Sequence, residues 1–304
     1  MIVTLPDTTT RDVSTALLEA RENYSLATGR VLTLLVAAHA EDDVDSILET
    51  VRNATMEHPA RVLVLLLDCQ SEQTWMDAEV IVAADAGASE MVVMTLHGEL
   101  TQHLDAVVTP LLLPDTPIVA WWPTTVPDVP AEAELGNIAH RRITNAWRTM
   151  GAECIEQLAK AYVPGDSDMM WSKITPWRGV VASAFDRYKQ QPRGILLSGI
   201  TEHPSVQIAA SWLDACFGVE VTVQNVAGAD AIPGSPIQHL SLDCEQGSVQ
   251  VQIVDEHTVR VSVPGYPDAF VALSARSDAE CLAEELRHLD PDAMYARALL
   301  HNLP

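Results

Sequence analysis

Two apolar runs, residues 31–36 and 62–67, with a helix-forming stretch between them constrain this chain more than any other feature. Val31-Leu32-Thr33-Leu34-Leu35-Val36 is β-rich and apolar at nearly every position, which is how a strand covered on both faces reads. Asp42 or Asp43 then opens a helix whose Val44, Ile47, Leu48 and Val51 recur at helical spacing. His58-Pro59 ends it, because the residue before a proline is pushed out of the helical region. Strand, helix and strand joined by short links form a parallel unit, since parallel strands need a crossover and that crossover is right-handed. A second unit of this kind is expected over residues 195–226. There a strand is followed by a helix opening at Pro204, stopped by Gly218, and by another strand.

The remaining segments fill in around these units. A helix capped by Asp7 or Thr8 and broken at Gly29 precedes the first strand. Residues 79–84 and 89–96 read as strands around an Asp85-Ala86-Gly87 turn, 100–108 as a short helix, and 117–122 as a strand entered through prolines. Alternation places Trp121 and Trp122 on opposite faces of that strand, one toward the core and the other toward an interface. Trp122-Pro123 is a candidate cis bond, with trans favoured. Residues 135–147 and 153–162 read as helices, and Asp166-Ser167-Asp168 as the cap of a further one carrying Met169, Met170 and Trp171. Thr175-Pro176 starts an amphipathic helix with Trp177, Val180, Val181, Ala184, Phe185 and Tyr188 on one stripe. Residues 237–242, 249–253 and 258–263 alternate as antiparallel strands, and 278–289 and 291–300 close the chain as helices. The expected class is α/β: two α/β lobes with mixed sheets, residues 1–130 and 194–304, joined by a helical middle segment, residues 131–193.

Charge singles out that middle segment. The chain carries 42 acidic residues against 18 basic ones, a net charge of −24. Nine of the bases, against five acids, lie between Arg141 and Arg193. No Lys or Arg occurs in residues 62–140 or 194–259. Nucleic acid and anionic membrane surfaces are repelled by such a chain. Its own basic middle, rich in tryptophan, is where a partner or an anion would be met. The candidate partner- or anion-binding residues are Arg141, Arg142, Arg148, Arg178, Trp171 and Trp177, with the Trp121-Trp122 corner, because Arg and Trp dominate binding hot spots.

Catalytic signatures are missing. The turn after the first strand, Ala37-Ala38-His39-Ala40-Glu41-Asp42-Asp43, has no glycine and is acidic where a pyrophosphate would sit. Its acidic triplet could hold Mg²⁺, but acids at a helix start are far more often caps. No GxGxxG, Walker A, HExxH or GxSxG pattern occurs. The five cysteines, Cys69, Cys154, Cys216, Cys244 and Cys281, are widely spaced with no CxxC pair and read as reduced thiols of a cytoplasmic protein. The first residues lack the basic-then-apolar pattern of a signal peptide. A binding or regulatory protein is therefore favoured over an enzyme, and no cofactor or metal is expected.

Several stretches resemble the glucose-6-phosphate dehydrogenase assembly protein family, OpcA, in its actinobacterial form. They include Leu5-Pro6-Asp7-Thr8-Thr9-Thr10, Gly29-Arg30-Val31-Leu32-Thr33-Leu34 and His58-Pro59-Ala60-Arg61-Val62. The most specific is the run Val107-Val108-Thr109-Pro110-Leu111-Leu112-Leu113-Pro114-Asp115-Thr116-Pro117-Ile118-Val119-Ala120-Trp121-Trp122-Pro123. Arg141-Arg142-Ile143-Thr144, Pro164-Gly165-Asp166-Ser167-Asp168 and Thr175-Pro176-Trp177-Arg178 add to it, and the match continues more loosely around His203-Pro204-Ser205-Val206. The resemblance implies a non-catalytic partner that binds and activates, or helps assemble, the oligomeric NADP-dependent dehydrogenase opening the oxidative pentose phosphate pathway. The competing reading is a sugar-phosphate sensor or enzyme in which the same arginines clamp the phosphate. A thiol sensor is a third and weaker one.

Overall fold

The computed structural model describes residues 2–23, 31–82, 90–226 and 231–301. Along the chain the first elements are β1 (Ile2–Leu5), α1 (Thr10–Asn23), β2 (Leu32–His39), α2 (Val44–Thr55), β3 (Ala60–Asp68), β4 (Trp75–Ile81) and β5 (Glu90–His97). There follow α3 (Leu104–Val108), β6 (Ile118–Trp122), α4 (Glu134–Ile138), β7 (Arg141–Thr144), α5 (Trp147–Met150), α6 (Cys154–Ala161), β8 (Asp166–Asp168), α7 (Met169–Lys173) and α8 (Thr175–Arg187). The last are β9 (Gly194–Gly199), α9 (Pro204–Phe217), β10 (Val221–Asn225), β11 (Ile237–Cys244), β12 (Gly247–Asp255), β13 (Thr258–Ser262), β14 (Ala269–Ala272), α10 (Asp278–Arg287) and α11 (Ala293–Leu300).

These elements form two α/β units, each built from three chain segments. Unit 1 comprises Met1–Thr149, Val163–Met169 and Asp278–Pro291; unit 2 comprises Met150–Tyr162, Met170–Ser277 and Asp292–Pro304. The stretch 131–193, expected as one joining segment, is shared between the two.

In unit 1 the sheet order is β1-β4-β5-β3-β2-β6-β7-β8. The run from β5 to β8 is parallel, and β4 and β1 extend it antiparallel at one edge. From β2 the chain winds outward one way through β3 to β5, then returns to start β6 on the other side of β2. That reversal is the doubly wound order of dinucleotide-binding sheets, with its switch point between β2 and β6. Both faces are covered, which is why β2 and β3 are apolar at successive positions. Leu34, Val36, Val62, Val64 and Trp121 pack with Ile47 and Val51 of α2 and with Leu282 and Leu286 of α10. Leu35, Leu63, Leu65 and Trp122 pack on the opposite face with Val13 and Leu17 of α1 and with Val107. Both tryptophans are thus core residues, one per face, rather than one core and one interface residue. The Trp122-Pro123 bond is trans.

Two local expectations are corrected here. Residues 135–147 do not form one helix: α4 ends at Ile138 and Arg141-Arg142-Ile143-Thr144 is strand β7, paired parallel with β6. Asp166-Ser167-Asp168 is strand β8, which runs directly into the expected helix carrying Met169, Met170 and Trp171, and the Asp168 carboxylate accepts from the Thr144 hydroxyl and Ala146 N. In both cases a sheet position overrides a weak local preference, because the polar side chains find buried partners there. The Asp85-Ala86-Gly87 turn and the Gly29 break lie outside the described residues.

In unit 2 the sheet order is β10-β9-β11-β12-β13-β14. β9, α9 and β10 make the expected parallel unit, and every other pairing is antiparallel. Gly218 ends α9 in the left-handed conformation at φ 65°, as a glycine stop should. At the other end of α9, His203 Nδ1 accepts a hydrogen bond from Ser205 N at 3.2 Å. That bond requires a neutral imidazole. Burial, reinforced by the nearby Lys173 charge, pushes the His203 pKa down to about 4. The unfolded chain therefore binds a proton here between pH 6.5 and 4 that the folded chain does not. Stability from this cap is full above pH 6.5 and falls as pH drops toward 4. The thermal midpoint should decline across that window in the wild type and less steeply in His203→Asn, which can still cap. Parallel slopes would remove the histidine as the cause.

Candidate functional site: the crevice at the strand switch point

In an open sheet of this order, ligands bind beyond the carboxyl ends of the strands where the winding reverses. In unit 1 that place lies after His39 of β2 and after Trp122 of β6. A crevice of about 230 Å³ is found there, and Asp42, Asp43, Ser46, Thr124, Arg148 and Asp278 supply its polar lining. Its chemistry follows from the β2–α2 turn. Asp43 caps α2, its carboxylate accepting from Ser46 N at 3.1 Å. Asp42 Oδ2 accepts from His39 N at 2.8 Å and from the Thr124 hydroxyl at 2.6 Å. It thereby ties the end of β2 to the segment after β6. Glu41 accepts from Gln70 Nε2 at 2.5 Å. Across the crevice Arg148 pairs with Asp278 at 2.5 Å.

A pyrophosphate does not fit these residues. The helix N-terminus that would receive it is already occupied by the Asp43 carboxylate, and a second carboxylate stands beside it. Phosphate oxygens brought here would meet like charge, and the turn has no glycine to let the backbone approach. Nor is the acidic triplet a metal centre. Each carboxylate is engaged as a cap or tie, and no cluster of three or more His, Cys, Asp or Glu able to hold a metal ion occurs among the described residues.

The eight residues singled out by sequence divide between the units. Arg141 is buried on β7, its guanidinium paired with Glu285 and donating to the Asp290 carbonyl at 3.0 Å. Its neighbour Arg142 is paired with Asp166 and donates to the carbonyls of Ala139 at 3.1 Å and Pro164 at 2.9 Å. The two arginines take separate partners and do not converge on one point, as alternation along a strand dictates. Arg148 is 52% exposed in its side chain and borders the crevice. Trp121 donates to Met169 Sδ at 3.2 Å, and Trp122 packs on the other face. In unit 2, Arg178 lies 3.4 Å over the Trp171 ring, whose Nε1 donates to Asp292 at 2.8 Å. Trp177 meets Trp212 edge to face at 6.0 Å.

What sequence reasoning missed is the acidic side of these pairs. Glu285 lies 144 positions from Arg141, and no local signal connects them. The Asp42–Thr124 tie was equally invisible, spanning 82 positions. The Asp166 pairing, 24 positions away, was open to inspection once β7 and β8 were known as neighbouring strands.

Both halves of the chain match known protein families. Residues 51–161 match the model of the N-terminal domain of a glucose-6-phosphate dehydrogenase subunit, and residues 164–299 match the model of its C-terminal domain. No curated protein matches the chain. Among solved structures, an oxidoreductase from Sinorhizobium meliloti aligns with a TM-score of 0.50 at 10% identity, over 89% of this chain and 95% of that one. KijD10, a 3-ketoreductase from Actinomadura kijaniata crystallised with NADP and TDP-benzene, aligns with a TM-score of 0.47 at 10% identity, over 89% and 94%. Such identities speak to fold alone. No described helix is long and apolar enough to cross a membrane.

Proposed function

Because the chain belongs to the glucose-6-phosphate dehydrogenase subunit family, OpcA, we propose that it is a non-catalytic partner that binds this dehydrogenase and activates it or promotes its assembly. The observation that carries the reading is the crevice at the switch point. A sheet wound to hold a dinucleotide carries two carboxylates where the phosphates would sit, so the fold serves here as a scaffold. The strong negative charge of the chain suits long-range steering toward a basic face on the partner. The cytoplasm, where the dehydrogenase works in the oxidative pentose phosphate pathway, is the proposed location.

The alternative of an arginine clamp for a sugar phosphate has little to stand on. Arg141 and Arg142 already have carboxylate partners, and freeing either would leave a buried acid behind. For docking, Arg148 is the more accessible of the candidate arginines of unit 1.

The test is size-exclusion light scattering of this chain mixed with its cognate dehydrogenase, with dehydrogenase rate followed across a titration. A defined complex and a rate rising to saturation are expected, and the affinity should fall as salt is raised. No complex and no change in rate, with both proteins folded, would overturn the proposal. NADP added to this chain alone should leave its thermal midpoint unmoved, since a ligand that binds only the folded state raises it.

A further inference from the structure

Unit 2 holds a cleft that the reading above does not use. It lies between α8 and the strands β13 and β14, and its volume is about 370 Å³, near the lower end of the roughly 300–1,000 Å³ typical of small-molecule sites. Its walls are apolar: Val180 and Ala184 on the helix face Val261, Val271 and Leu273 on the sheet side. The cleft exists because of the sequence of α8. Gly179 sits inside the helix, where glycine is unfavourable, and a Cβ placed on it meets no heavy atom within 4 Å. The helix surface therefore recedes there, and β14, the last strand of its sheet, leaves the side open.

One charged side chain lines this cleft, Arg187, and no acid does. Arg187 is exposed in the last turn of α8 and makes no hydrogen bond or ion pair with the described residues. In a chain with 42 acids and 18 bases an exposed arginine readily finds a carboxylate, as Arg193 on the following segment does with Glu245 at 2.9 Å. A guanidinium with no partner among the described residues, at the rim of an apolar cleft, is matched by a ligand with an apolar body and one anionic end.

We propose that this cleft between α8 and β13–β14 is a binding site for a small amphipathic carboxylate, its apolar body against Val180, Val261 and Val271 and its carboxylate on Arg187. The site is independent of dehydrogenase binding, so failure of one reading leaves the other standing.

The test is a titration of the full chain with octanoate and, separately, with octan-1-ol, followed by methyl NMR. Octanoate should give saturable shifts at Val180, Val261 and Val271. Gly179→Leu fills the cleft from the helix side while improving helix propensity, so the fold should be kept and octanoate binding lost. Arg187→Gln should weaken octanoate about ten-fold, the scale of one charge-assisted hydrogen bond, and leave octan-1-ol unchanged. Absence of saturable shifts in the wild type would overturn the proposal, as would octanoate binding that survives Gly179→Leu. Equal affinity for octanoate in wild type and Arg187→Gln would overturn the assignment of the anion to Arg187. If no probe binds and Gly179→Leu instead weakens the dehydrogenase complex, the cleft belongs to the partner protein and the small-molecule reading falls.

Discussion

Replacing Glu285 by alanine is expected to destabilise unit 1 by about 3–5 kcal/mol, the usual cost of removing one partner from a buried ion pair. Glu285 on α10 is 4% exposed and Arg141 on β7 is 3% exposed. The Glu285 carboxylate receives the Arg141 guanidinium and the Ser167 hydroxyl, the latter at 2.7 Å. Arg141 Nε has no hydrogen-bond partner among the described residues, so the charge is held by few contacts there. In Glu285→Ala the guanidinium stays buried, with the Asp290 carbonyl as its remaining hydrogen-bond partner among the described residues. The double variant Arg141→Met with Glu285→Leu should recover most of the loss. It removes both desolvation penalties along with the attraction that offset them. Urea unfolding followed on the Trp121 indole signal, which belongs to unit 1, measures both variants. A single-variant loss below about 1 kcal/mol would mean that water reaches the pair and that the burial argument is wrong.

The same residues mark what the sequence could and could not disclose. The parallel core was legible because β2 and β3 are covered on both faces, so their apolar character is continuous and the helix between them has a clean stripe. The α9 unit was legible for a similar reason, with a proline at its start and a left-handed glycine at its end. β7 and β8 were not. Each is three or four residues long, and each buries charged side chains, so hydropathy reads them as surface. Their strand character comes from neighbours: β6 beside β7, and carboxylates or guanidiniums supplied from elsewhere in the chain. The positive middle segment was therefore read correctly as charge and misleadingly as surface. Arg141 and Arg142, like Arg61, are buried, which is unusual for basic residues, and burial of a charge depends on a partner that local pattern cannot specify. The acidic turn after β2 was the opposite case, because a missing glycine and two aspartates at a helix start are local facts with a local consequence.

A fragment of residues 1–277 is expected not to fold cooperatively, although it retains both sheets and all but two helices. The missing α10 and α11 serve different units. In unit 1, α10 contributes Cys281, Leu282, Ala283 and Leu286 to the core face shared with α2. In unit 2, α11 contributes Tyr295, Ala298 and Leu299, and Tyr295 lies 5.8 Å from the Trp171 ring. Each fully buried Leu side chain stabilises by roughly 1.5–3 kcal/mol, and the buried aromatic adds a contribution of similar size. Losing Leu282, Leu286, Leu299 and Tyr295 together therefore approaches the whole net stability of an ordinary domain, about 5–15 kcal/mol. The truncation also strips Glu285 from Arg141 and Asp292 from the Trp171 indole. Circular dichroism of the fragment under thermal ramp should show no cooperative transition at the full-length midpoint; a transition of full-length sharpness and position would sink the argument. The consequence reaches the family itself. Its two matched segments meet at residues 161 and 164, yet unit 1 draws residues 278–291 from the second and unit 2 draws residues 150–162, which lie almost wholly within the first. Neither segment holds a complete core, so the two fold as one chain, and the proposed binding to the dehydrogenase should be lost when they are expressed apart.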